Sequence, residues 1–484
     1  MMFKKGFKRI FKPLKLLSEE DVNAIHAVTL DILRNTGIKF VSKWALNFLK
    51  KHDCIVNDED QIVKFPEGLV EECIRKTPSS FRFKARAEKD DVIFCKDVVY
   101  FQEAPGMHIL DLETFKPRPP TKQEYIDYVK VLDYLPNCHL TSPYPYFGYE
   151  EVPAIMLMPE LMAIKFKYSS MLGLSPYQSD AEIFIIQMAQ TVSTEICGVI
   201  SQAPPLTWFD NAIMQARRCI EAGFPVGPCS GTTFGATGPV TLAGTVAKTN
   251  AELISMLVLV QLLKPGHRTL MLLFEVPQNM RTGAPAFGQI GSTMANALYN
   301  QMWRWYNIPL EACSPGFINA KTPDFQSGYE KAINGIISAV SGANIVQFHG
   351  CIMGELSAHP VQAVMDDDIA GMIGRFIEGV DVNEETLALD LIHEVGQSPG
   401  HYLGKPHTAK WWKLEQFIPK VADRTATYDD WLKKGKKSSI DLAKEKTKEI
   451  IETHNPIPLN DKQEEDIQRI LEDARQYYKK RGML

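Results

Sequence analysis

Short apolar runs alternate with longer segments of helical periodicity through the middle of the chain, residues 91–385. The runs have the length and β-branched content of buried strands, and the segments between them have the apolar spacing of helices. We predict eight strands, over residues 98–103, 138–144, 169–174, 196–202, 226–232, 269–275, 310–317 and 344–351. We predict eight helices, near residues 122–134, 153–166, 180–193, 208–222, 246–264, 291–306, 327–341 and 360–378.

The strict alternation of strand and helix predicts an α/β fold with a parallel sheet, because parallel neighbours need a helical crossover. Eight such units are what a closed (β/α)₈ TIM barrel requires, and this is the predicted fold. A doubly wound open sheet is the structural alternative. No Gly-x-Gly-x-x-Gly turn follows the first predicted strand, so the sequence does not support the dinucleotide-binding form of that alternative.

The barrel is expected to carry helical extensions at both ends, at residues 1–90 and 386–484. In the first extension, Ser18 precedes three acidic residues, the pattern of a capped helix N-terminus, and further helices are predicted over 43–51 and 66–76. In the second, a Gly/Pro-rich loop precedes a final charged helix. We expect this tail to wrap the barrel or to mediate association.

The first fifteen residues differ from the rest of the chain because they are basic and contain no acidic residue. Their apolar residues recur at helical spacing, which indicates a basic amphipathic arm. Such an arm can pack against the protein or a sister subunit, dock a partner, or lie on a membrane surface. It lacks the continuous apolar region and the small-residue cleavage site of a secretory signal.

Composition excludes several functional classes. Of 484 residues, 53 are basic and 58 are acidic, a net charge of −5 that leaves no general basic face for nucleic acid. The longest apolar run, residues 253–263, is too short to span a bilayer and indicates a buried helix. Nine Cys without a repeated spacing indicate reduced thiols, and hence a cytoplasmic protein without a disulfide framework.

The chemistry of a TIM barrel lies at the C-terminal ends of its strands. Here those ends are rich in aromatic and acidic residues and contain no Lys or Arg. They include Gln102, Glu103, Tyr144, Tyr146, Ser175, Tyr177, Gln202, Ser230, Thr232, Phe274, Glu275, Phe317, Asn319, Phe348, His349 and Cys351. Such a set suits a cation better than a phosphate, because aromatic faces attract quaternary ammonium groups. The alternative for each aromatic residue is core filling.

Two metal sites are weaker candidates. Zinc could be held at the strand ends by Cys229, Cys313, His349 and Cys351. That set has no Cys-x-x-Cys pair, and buried Cys is usually a small apolar residue, so we predict no metal. The stretch 390–396 superficially resembles the Asp-x-His-x-x-Gly that ligates cobalt in corrinoid proteins, but its Asp stands one residue too far from its His. We therefore expect no permanently bound cofactor.

Several spaced motifs resemble the trimethylamine methyltransferase superfamily, and the similarity runs from about residue 17 to the C-terminal helix. They are the stretch 235–244 with Asn250-Ala-Glu252, Asn279-Met-Arg-Thr-Gly283, Thr322-Pro-Asp324-Phe-Gln326-Ser-Gly-Tyr-Glu330, Ser341-Gly-Ala-Asn344, and Gly400-His-Tyr-Leu-Gly404 with His407-Thr408. Because these motifs occur in the order of the family, the similarity is specific.

The resemblance implies a (β/α)₈ barrel that transfers a methyl group from a methylated amine to the Co(I) corrinoid of a separate partner protein. The founding members of the family use pyrrolysine at the active site, whereas this sequence contains only standard residues. It is therefore similar to the non-pyrrolysine branch, whose characterised members demethylate quaternary amines such as glycine betaine, proline betaine or carnitine. The chemistry of quaternary amines agrees with this branch. Because the nitrogen leaves as a neutral tertiary amine, transfer of the methyl group needs neither a general base nor a metal.

Within this resemblance, the task of the site is to position a cation, and the strand ends supply the candidates. The predicted cation cage consists of Phe348, Tyr100 or Phe101, and Tyr144, helped by Glu103 or Glu275. Because residues alternate along a strand, Gln347, His349 and Cys351 share one face, and His349 can bind a substrate carboxylate if that face points inward. Asp324 and Gln326 open the helix after the sixth or seventh strand and could orient substrate, although Asp324 is equally suited to be an N-cap.

Three alternatives stay open at this point. They are a tertiary-amine methyltransferase, a zinc-dependent methylthiol methyltransferase, and a small-cation-binding barrel without catalysis. The expected partners are a cognate corrinoid protein and a small quaternary amine, with no nucleic acid and no membrane. A symmetric homo-oligomer is the common expectation for such an enzyme.

Overall fold

A closed barrel of eight parallel strands forms the centre of the computed structural model, which describes residues 6–142, 148–176, 178–423 and 427–484. The strands are β1 (Val98–Glu103), β2 (Leu140–Thr141), β3 (Leu172–Pro176), β4 (Ile196–Ser201), β5 (Val226–Ser230), β6 (Met271–Leu273), β7 (Leu310–Ala312) and β8 (Ile345–His349). Each strand pairs in parallel with the next, and β8 pairs with β1 to close the barrel. The predicted (β/α)₈ fold is confirmed, and every barrel strand overlaps a predicted one.

Helices follow the barrel strands in turn and form the outer layer. They are α1 (Lys122–Tyr134), α2 (Leu157–Tyr168), α3 (Glu182–Thr191), α4 (Asp210–Glu221), α5 (Leu242–Leu263), α6 (Ile290–Trp305), α7 (Phe325–Ser341) and α8 (Pro360–Ile377). Thr121 and Asp324 cap α1 and α7 by accepting hydrogen bonds from backbone N–H groups of the first turn. By length and composition α5 could cross a membrane, but 89% of its most apolar window is buried within the protein. It is a core helix, as the run 253–263 indicated.

The barrel interior is closed at its N-terminal end by the hairpin Phe81–Phe83 and Val92–Phe94. The phenylalanines of this hairpin pack against inward-facing residues from the lower halves of the strands, including Tyr100, Leu140, Leu172 and Ile345. The outward-facing residues of β1 and β8 instead pack under α7 and α8. Access to the interior is therefore confined to the C-terminal end of the barrel.

Short strands extend the barrel beyond that C-terminal end. His108–Leu110, Pro117–Arg118, Cys351–Ile352 and Ser357–Ala358 form a four-stranded sheet from the loops that follow β1 and β8. Thr233–Phe234 pairs with Val276–Pro277, which joins the loops after β5 and β6. These pairings fix the rim around the barrel mouth.

Residues 6–18 run as an extended strap across the barrel rather than as the amphipathic helix predicted from their spacing, and we call them the N-terminal strap. Phe7–Lys8 is a strand antiparallel to β1, paired at Val99 and Val98. The physical reason is that β2 is only two residues long and pairs with β1 at Gln102 alone, so the first half of β1 has free backbone groups. The strap pairs with these free groups. The side chain of Arg9, itself a strap residue, is buried and forms an ion pair with Asp97 at 3.1 Å.

The rest of the N-terminal segment contains the three predicted helices and a small sheet that the sequence did not indicate. The helices are Glu19–Asp31, continued by a π-helical turn at Ile32–Thr36, Lys43–Lys50 and Glu67–Lys76, with a 3₁₀ turn at Glu88–Asp90. The sheet consists of Ile38–Val41, Ile55–Asn57 and Ile62–Lys64, joined by Thr207–Phe209 from the loop after β4. Strands of three or four residues give too few alternations to be recognised by pattern.

The C-terminal segment divides into a packed part and an exposed part. Its helices are Glu384–Leu387, Leu389–Val395, Pro406–Glu415, Tyr428–Lys433, Ser439–Thr453 and Asp461–Lys480. The last two wrap the barrel, as expected for this tail, and bury Ala443, Ile450, Ile467 and Leu471 against the outer helices. Residues 380–420, which we call the C-terminal arm, contain no buried side chain.

Candidate active site

A cavity of about 250 Å³ lies inside the barrel at its C-terminal end. Its lining comes from β3 to β8, the residue after β2, and the loops after β1, β6, β7 and β8. The lining residues are Pro105, Ser142, Leu174, Pro176, Val199, Ser201, Cys229, Leu272, Phe274, Glu311, Cys313, Phe317, Gln347 and Glu355. A larger groove of about 510 Å³ lies on the outer surface beside α2. We take the interior cavity as the candidate active site, because the ends of the strands converge there.

The carboxyl group of Glu311 is the central polar feature of this cavity. Glu311 is the middle residue of β7 and is fully buried. Its Oε1 accepts a hydrogen bond from Gln102 Nε2 at 3.1 Å, while its Oε2 has no hydrogen-bond partner among the described residues. Burial raises the pKa of Glu311 to about 8, and the hydrogen bonds from Cys313 and Gln102 oppose that rise only in part. In the empty cavity at neutral pH this carboxyl group is mostly protonated.

A second acid and no basic side chain complete the ionisable lining. Glu355, on the loop after β8, lines the cavity, and burial raises its pKa as well. None of the described lining residues is Lys, Arg or His. Residues 143–147 and 177, which follow the lining residues Ser142 and Pro176 in the chain, consist only of Pro, Tyr and Phe. The charge of the cavity can therefore only be neutral or negative, which favours a cationic ligand.

Aromatic and aliphatic side chains form the rest of the wall. The rings of Phe274 and Phe317 meet edge to face with centroids 5.1 Å apart, and Phe287 packs behind Phe317 at 5.7 Å. Ring faces at the edge of a largely apolar cavity attract methylated ammonium groups. Neutral hydrogen-bonding groups are supplied by Ser142, Ser201 and Gln347.

The structure separates the four residues of the zinc alternative. Cys229 and Cys313 line the cavity, whereas Cys351 is buried outside it and donates to the carbonyl oxygen of Gly354 at 2.8 Å. His349 faces the helical layer, as described below. Among the described residues no group of three or more His, Cys, Asp and Glu side chains is arranged to hold a metal ion.

Phe348 and Phe101, predicted for the cation cage, lie outside the barrel wall. Their rings are 5.5 Å apart and belong to the layer between the strands and helices α7 and α8. Lys331 Nζ on α7 lies 5.3 Å from the Phe348 ring. Both residues have the outward-facing parity of their strands, so their predicted placement around a cation in the barrel is wrong.

Tyr100 faces inward but lies far below the cavity. Its hydroxyl group accepts a hydrogen bond from the Ile93 N–H at 3.1 Å, and its ring lies 6.3 Å from that of Phe94 in the closed end of the barrel. Tyr144, the fourth predicted cage residue, lies outside the described residues, so its place in the cage stays a prediction.

His349 does not share a face with Gln347, because β8 has a bulge at this point. Its pairing register with β1 shifts between Gln347 and His349, so Phe348 and His349 both turn toward the helices. His349 is fully buried, and its Nε2 lies 3.7 Å from Oδ1 of Asp367 on α8. Gln347 alone of this pair reaches the cavity, so the predicted shared face is wrong and the condition for His349 to bind a substrate carboxylate is not met.

Glu103 and Glu275 also lie behind the barrel wall. Glu103 Oε2 accepts a hydrogen bond from the Ser142 N–H at 2.8 Å, and burial raises the pKa of Glu103 to about 8. Burial and the neighbouring Glu252 carboxylate raise the pKa of Glu275 well above its ordinary value. Neither lines the cavity. Both carboxyl groups belong to the layer between strands and helices, which corrects their assignment to the cation.

Asp324 and Gln326 lie at the start of α7, the helix after the seventh strand. Asp324 is the N-cap: its Oδ1 accepts hydrogen bonds from the N–H groups of Gln326 at 2.9 Å and Ser327 at 3.2 Å. Gln326 Nε2 donates to Glu330 Oε1 at 2.7 Å. Neither side chain lines the cavity. The N-cap alternative for Asp324 is therefore confirmed.

The residue that sequence reasoning missed is Glu311. The sequence candidates for the cavity come mainly from strand ends, whereas Glu311 is in the middle of its strand, two residues before Cys313. The available signal was an acidic residue inside an otherwise apolar predicted strand, with the same inward parity as Cys313. A buried carboxyl group without a cation near it indicates a binding function.

Glu252, the last residue of the motif Asn250-Ala-Glu252, supports the cavity wall from behind. On α5, Lys248 Nζ and Glu252 Oε1 are 2.5 Å apart, and Lys248 Nζ also donates to Thr232 Oγ1 at 2.8 Å. Glu252 Oε2 accepts from Ser230 Oγ at 3.0 Å. These buried contacts fix the end of β5, where Cys229 enters the cavity.

Comparison with known proteins places the sequence in a described family. Residues 2–477 match the family model described as trimethylamine methyltransferase (MTTB). The chain is 27% identical over 475 residues to "Trimethylamine methyltransferase MttB" of Desulfitobacterium hafniense strain DSM 10664 / DCB-2, covering 95% of this chain and 94% of that protein. It is 28% identical over 433 residues to "Glycine betaine methyltransferase" of Desulfitobacterium hafniense strain Y51, covering 86% and 88%. A solved structure of the monomethylamine methyltransferase MtmB of Methanosarcina barkeri aligns with a TM-score of 0.49 at 12% identity, over 98% of this chain and 96% of that one.

Proposed function

The chain belongs to the trimethylamine methyltransferase (MTTB) family and is a methyltransferase, and we propose that it moves a methyl group from a quaternary amine to the Co(I) corrinoid of a separate partner protein. The observation that carries this proposal is the Glu311 carboxyl group, buried in an aromatic and apolar cavity with one oxygen unpartnered among the described residues. A methylated ammonium group supplies the missing positive charge. The corrinoid is a second substrate brought by the partner, not a resident cofactor.

The binding step follows from the electrostatics of the cavity. Two unit charges about 4 Å apart attract by about 4 kcal/mol at an effective dielectric constant of 20. This attraction exceeds the cost of ionising Glu311 at neutral pH, about 1.4 kcal/mol for a pKa one unit above the solution pH. Binding of the cation and ionisation of Glu311 are therefore coupled, and the rings of Phe274 and Phe317 cover the methyl groups.

We further propose a betaine-type substrate, in the class of glycine betaine, proline betaine or carnitine. The similarity to a protein named glycine betaine methyltransferase supports this class. The substrate carboxylate would find neutral donors in the hydroxyl groups of Ser142 and Ser201 and in the amide of Gln347. It would be oriented away from Glu311 and Glu355, because like charges repel.

The transfer step needs orientation more than acid or base chemistry. The Co(I) electron pair attacks the methyl carbon in line with the C–N bond, and the nitrogen keeps the bonding pair and leaves as a neutral tertiary amine. No proton moves, which agrees with a cavity in which none of the described lining residues is His, Lys or Arg. The role of this chain is to hold the ammonium group with one methyl toward the mouth.

The rim of the mouth offers a docking face for the partner. Val240, Met280 and Phe325 are among the most exposed large apolar residues of the described chain, and Phe325 is 86% exposed. They stand on the loops after β5 and β6 and at the start of α7, and the side chains of Val240 and Met280 both border Gly235. Exposed apolar groups around a cavity mouth are typical of a surface that a partner covers.

The test is to mix the reduced protein with a Co(I) corrinoid protein and single amines, and to record the spectral change from Co(I) to methyl-Co(III). The panel contains glycine betaine, proline betaine, carnitine, tetramethylammonium and trimethylamine. We expect a quaternary amine to react, and Glu311→Gln to lose most of the rate while the matched control Glu103→Gln keeps it. No reaction with any quaternary amine would overturn the proposal, and reaction with trimethylamine alone would establish the tertiary-amine alternative. Stoichiometric zinc in an active protein would favour the methylthiol alternative.

A further inference from the structure

Gln102 is a fully buried amide side chain next to the cavity, although it is not one of the lining residues. It lies in β1, where its backbone is opposite Leu140 of β2 and Gln347 of β8. A buried amide group destabilises a fold unless hydrogen bonds replace the water that it loses. The partners of Gln102 therefore indicate why the barrel keeps an amide at this position.

Both hydrogens of the Gln102 amide nitrogen point to groups of the cavity wall. Nε2 donates to Glu311 Oε1 at 3.1 Å and, in a longer contact, to Ser142 Oγ at 3.4 Å. The opposite orientation of the amide would turn its oxygen toward the carboxylate, and two acceptors repel each other. With both hydrogens engaged the amide plane is fixed, and one side chain connects Glu311 to Ser142.

At Glu311 this hydrogen bond distinguishes the two carboxyl oxygens. The carbonyl oxygen of a neutral carboxyl group is its better acceptor, so Oε1 accepts from Gln102 and the acidic hydrogen lies on Oε2. Oε2 is the oxygen without a hydrogen-bond partner among the described residues. Loss of that hydrogen leaves Oε2 available to a cation, while Oε1 stays bound to Gln102.

At Ser142 the same amide leaves the hydroxyl hydrogen available to a ligand. Ser142 Oγ accepts from Gln102, and the Ser142 N–H donates to Glu103 Oε2 at 2.8 Å, so the residue is held on two sides. Ser142 lines the cavity, and among the described residues its hydroxyl group has no acceptor for its own hydrogen. A hydroxyl group that already accepts one hydrogen bond is a suitable donor to an anionic oxygen.

No cationic side chain of the described residues shares this role with Gln102. The titratable groups that face Glu311 are three thiols, from β4, β5 and the end of β7, and one carboxyl group of the rim: Cys197, Cys229, Cys313 and Glu355. Burial raises the pKa values of Cys197 and Cys313 well above that of an ordinary thiol, and it raises the pKa of Glu355 as well. Burial also raises the pKa of Glu311 to about 8, and the side chains that oppose this rise are Cys313 and Gln102.

We propose that Gln102 is a positioning residue for the reaction: one amide group directs the Glu311 carboxyl group toward the ammonium end of the substrate and the Ser142 hydroxyl group toward its carboxylate end. A betaine is a zwitterion with a set distance between its two charges. A side chain that fixes Glu311 and Ser142 relative to each other therefore favours substrates of matching length. The inference rests on the proposed function, because it assigns the two groups to the two ends of a betaine.

The first test titrates Glu311 in the free protein by infrared spectroscopy, through the C=O stretch of its protonated carboxyl group. Each protein is compared with the same protein carrying Glu311→Gln, so that Glu355 and the other acids cancel. Gln102→Met keeps the length of the side chain but removes both N–H donors. Because a hydrogen bond to a charged acceptor is about twice as strong as one to a neutral acceptor, we expect the midpoint to rise from about pH 8 to about pH 9.

Two further variants separate this effect from a general disturbance of the barrel. In Gln102→Glu the acid that stays protonated can donate to the other, so the pair should lose its first proton at or below about pH 8. The matched control is Gln215→Met, because Gln215 is an equally buried amide that donates to the Ser175 carbonyl oxygen at 2.9 Å. This control should leave the midpoint at about pH 8, even where it lowers stability.

The second test measures binding of tetramethylammonium and glycine betaine by calorimetry at pH 7 and pH 10. At pH 7, Gln102→Met should weaken both ligands about tenfold, because Glu311 is harder to ionise. At pH 10 the carboxylate is formed in both proteins, so tetramethylammonium should return to within about twofold of wild type. Glycine betaine should stay at least about threefold weaker, and this excess loss should disappear when both proteins carry Ser142→Ala.

The outcomes distinguish this inference from the proposed function. A Glu311 midpoint that stays at about pH 8 in Gln102→Met would overturn the inference, as would equal losses of both ligands at pH 10. Wild-type protein that binds neither ligand, or that binds them equally well with Glu311→Gln, would instead refute the proposed site, whereas the infrared midpoint would still report on Gln102. Circular dichroism checks the fold of each variant. If Gln102→Met does not fold, Gln102→Asn provides the same test, because its amide is one methylene group shorter.

Discussion

Binding of a quaternary amine should release a proton from Glu311, and this is the sharpest prediction of the cavity. Burial holds the pKa of this carboxyl group at about 8 in the empty site, so it is mostly neutral at pH 7. A bound cation favours the carboxylate and lowers that pKa below neutrality. A quaternary amine has no titrating ammonium proton, so any change of affinity between pH 6.5 and 9.5 reports on the protein.

The magnitude follows from the pKa. Below pH 8 the affinity should rise about tenfold per pH unit and should level off above about pH 9, because the carboxylate is then already formed. The dissociation constant at pH 7 should therefore be about ten times that at pH 9.5, and binding at pH 7 should release about 0.9 proton. Glu311→Gln removes the charge but keeps the shape, so it should abolish this dependence and weaken binding at pH 9.5 by several hundred-fold, the equivalent of the attraction of about 4 kcal/mol that is lost.

Isothermal titration calorimetry with glycine betaine or tetramethylammonium measures both quantities, using two buffers of different ionisation enthalpy at each pH. The matched control is Glu103→Gln, because the pKa of Glu103 is also raised to about 8 by burial although its side chain lies behind the barrel wall. This control should keep the full pH dependence. An affinity that does not change between pH 7 and 9.5, or a pH dependence that survives in Glu311→Gln, would refute the assignment of the cation to Glu311.

Three further variants test the placement of other residues. Met280→Asp on the rim should slow methyl transfer to the corrinoid protein at least tenfold in stopped-flow absorbance while leaving the dissociation constant of the amine unchanged; a weaker amine affinity would place Met280 in the cavity instead. His349→Ala should leave the amine affinity within twofold and lower the free energy of unfolding by about 3 kcal/mol in urea, because a fully buried side chain is removed from the layer beneath α8; lost affinity at full stability would return His349 to the substrate. Asp324→Ala should cost about 1 kcal/mol through loss of the α7 N-cap, with kinetics unaffected.

The fold could be predicted because each strand of a parallel barrel is buried on both faces. Such strands appear as apolar runs, and their lengths and spacing identify the βα units without any knowledge of which residue faces which way. The run 344–351 is an example: it locates β8 correctly at Ile345–His349. The N-terminal strap shows the limit of the same method, since its apolar spacing suits a helix but its backbone pairs with the free half of β1.

The orientation of individual side chains could not be predicted, because it depends on register. At β8 the shift between Gln347 and His349 turns two successive residues toward the helices, and no local sequence feature marks the bulge. Alternation from Gln347 would have placed His349 in the cavity. At β7, by contrast, the alternation of side chains is enough to place Glu311 on the same inward face as Cys313. An acidic residue in an apolar predicted strand was the sequence feature that could have identified Glu311 as a site residue. Part of the candidate site could therefore be predicted from the sequence. Acidic residues inside apolar strands are a better guide to it than the residues at strand ends.

The position of Glu311 also explains how one acid can select methylated ammonium groups over other cations. Sodium and unsubstituted ammonium ions are strongly hydrated, and a largely apolar cavity with few oxygen acceptors cannot replace their water. A quaternary ammonium group carries its charge beneath methyl groups, so it loses little hydration on entering the cavity and contacts Phe274 and Phe317 directly. In the absence of a cation the Glu311 carboxyl group takes up a proton at neutral pH, because burial raises its pKa to about 8. Burial therefore keeps Glu311 neutral in the free protein at neutral pH. At that pH the ionisation of Glu311, and with it tight binding, requires a weakly hydrated cation in the cavity.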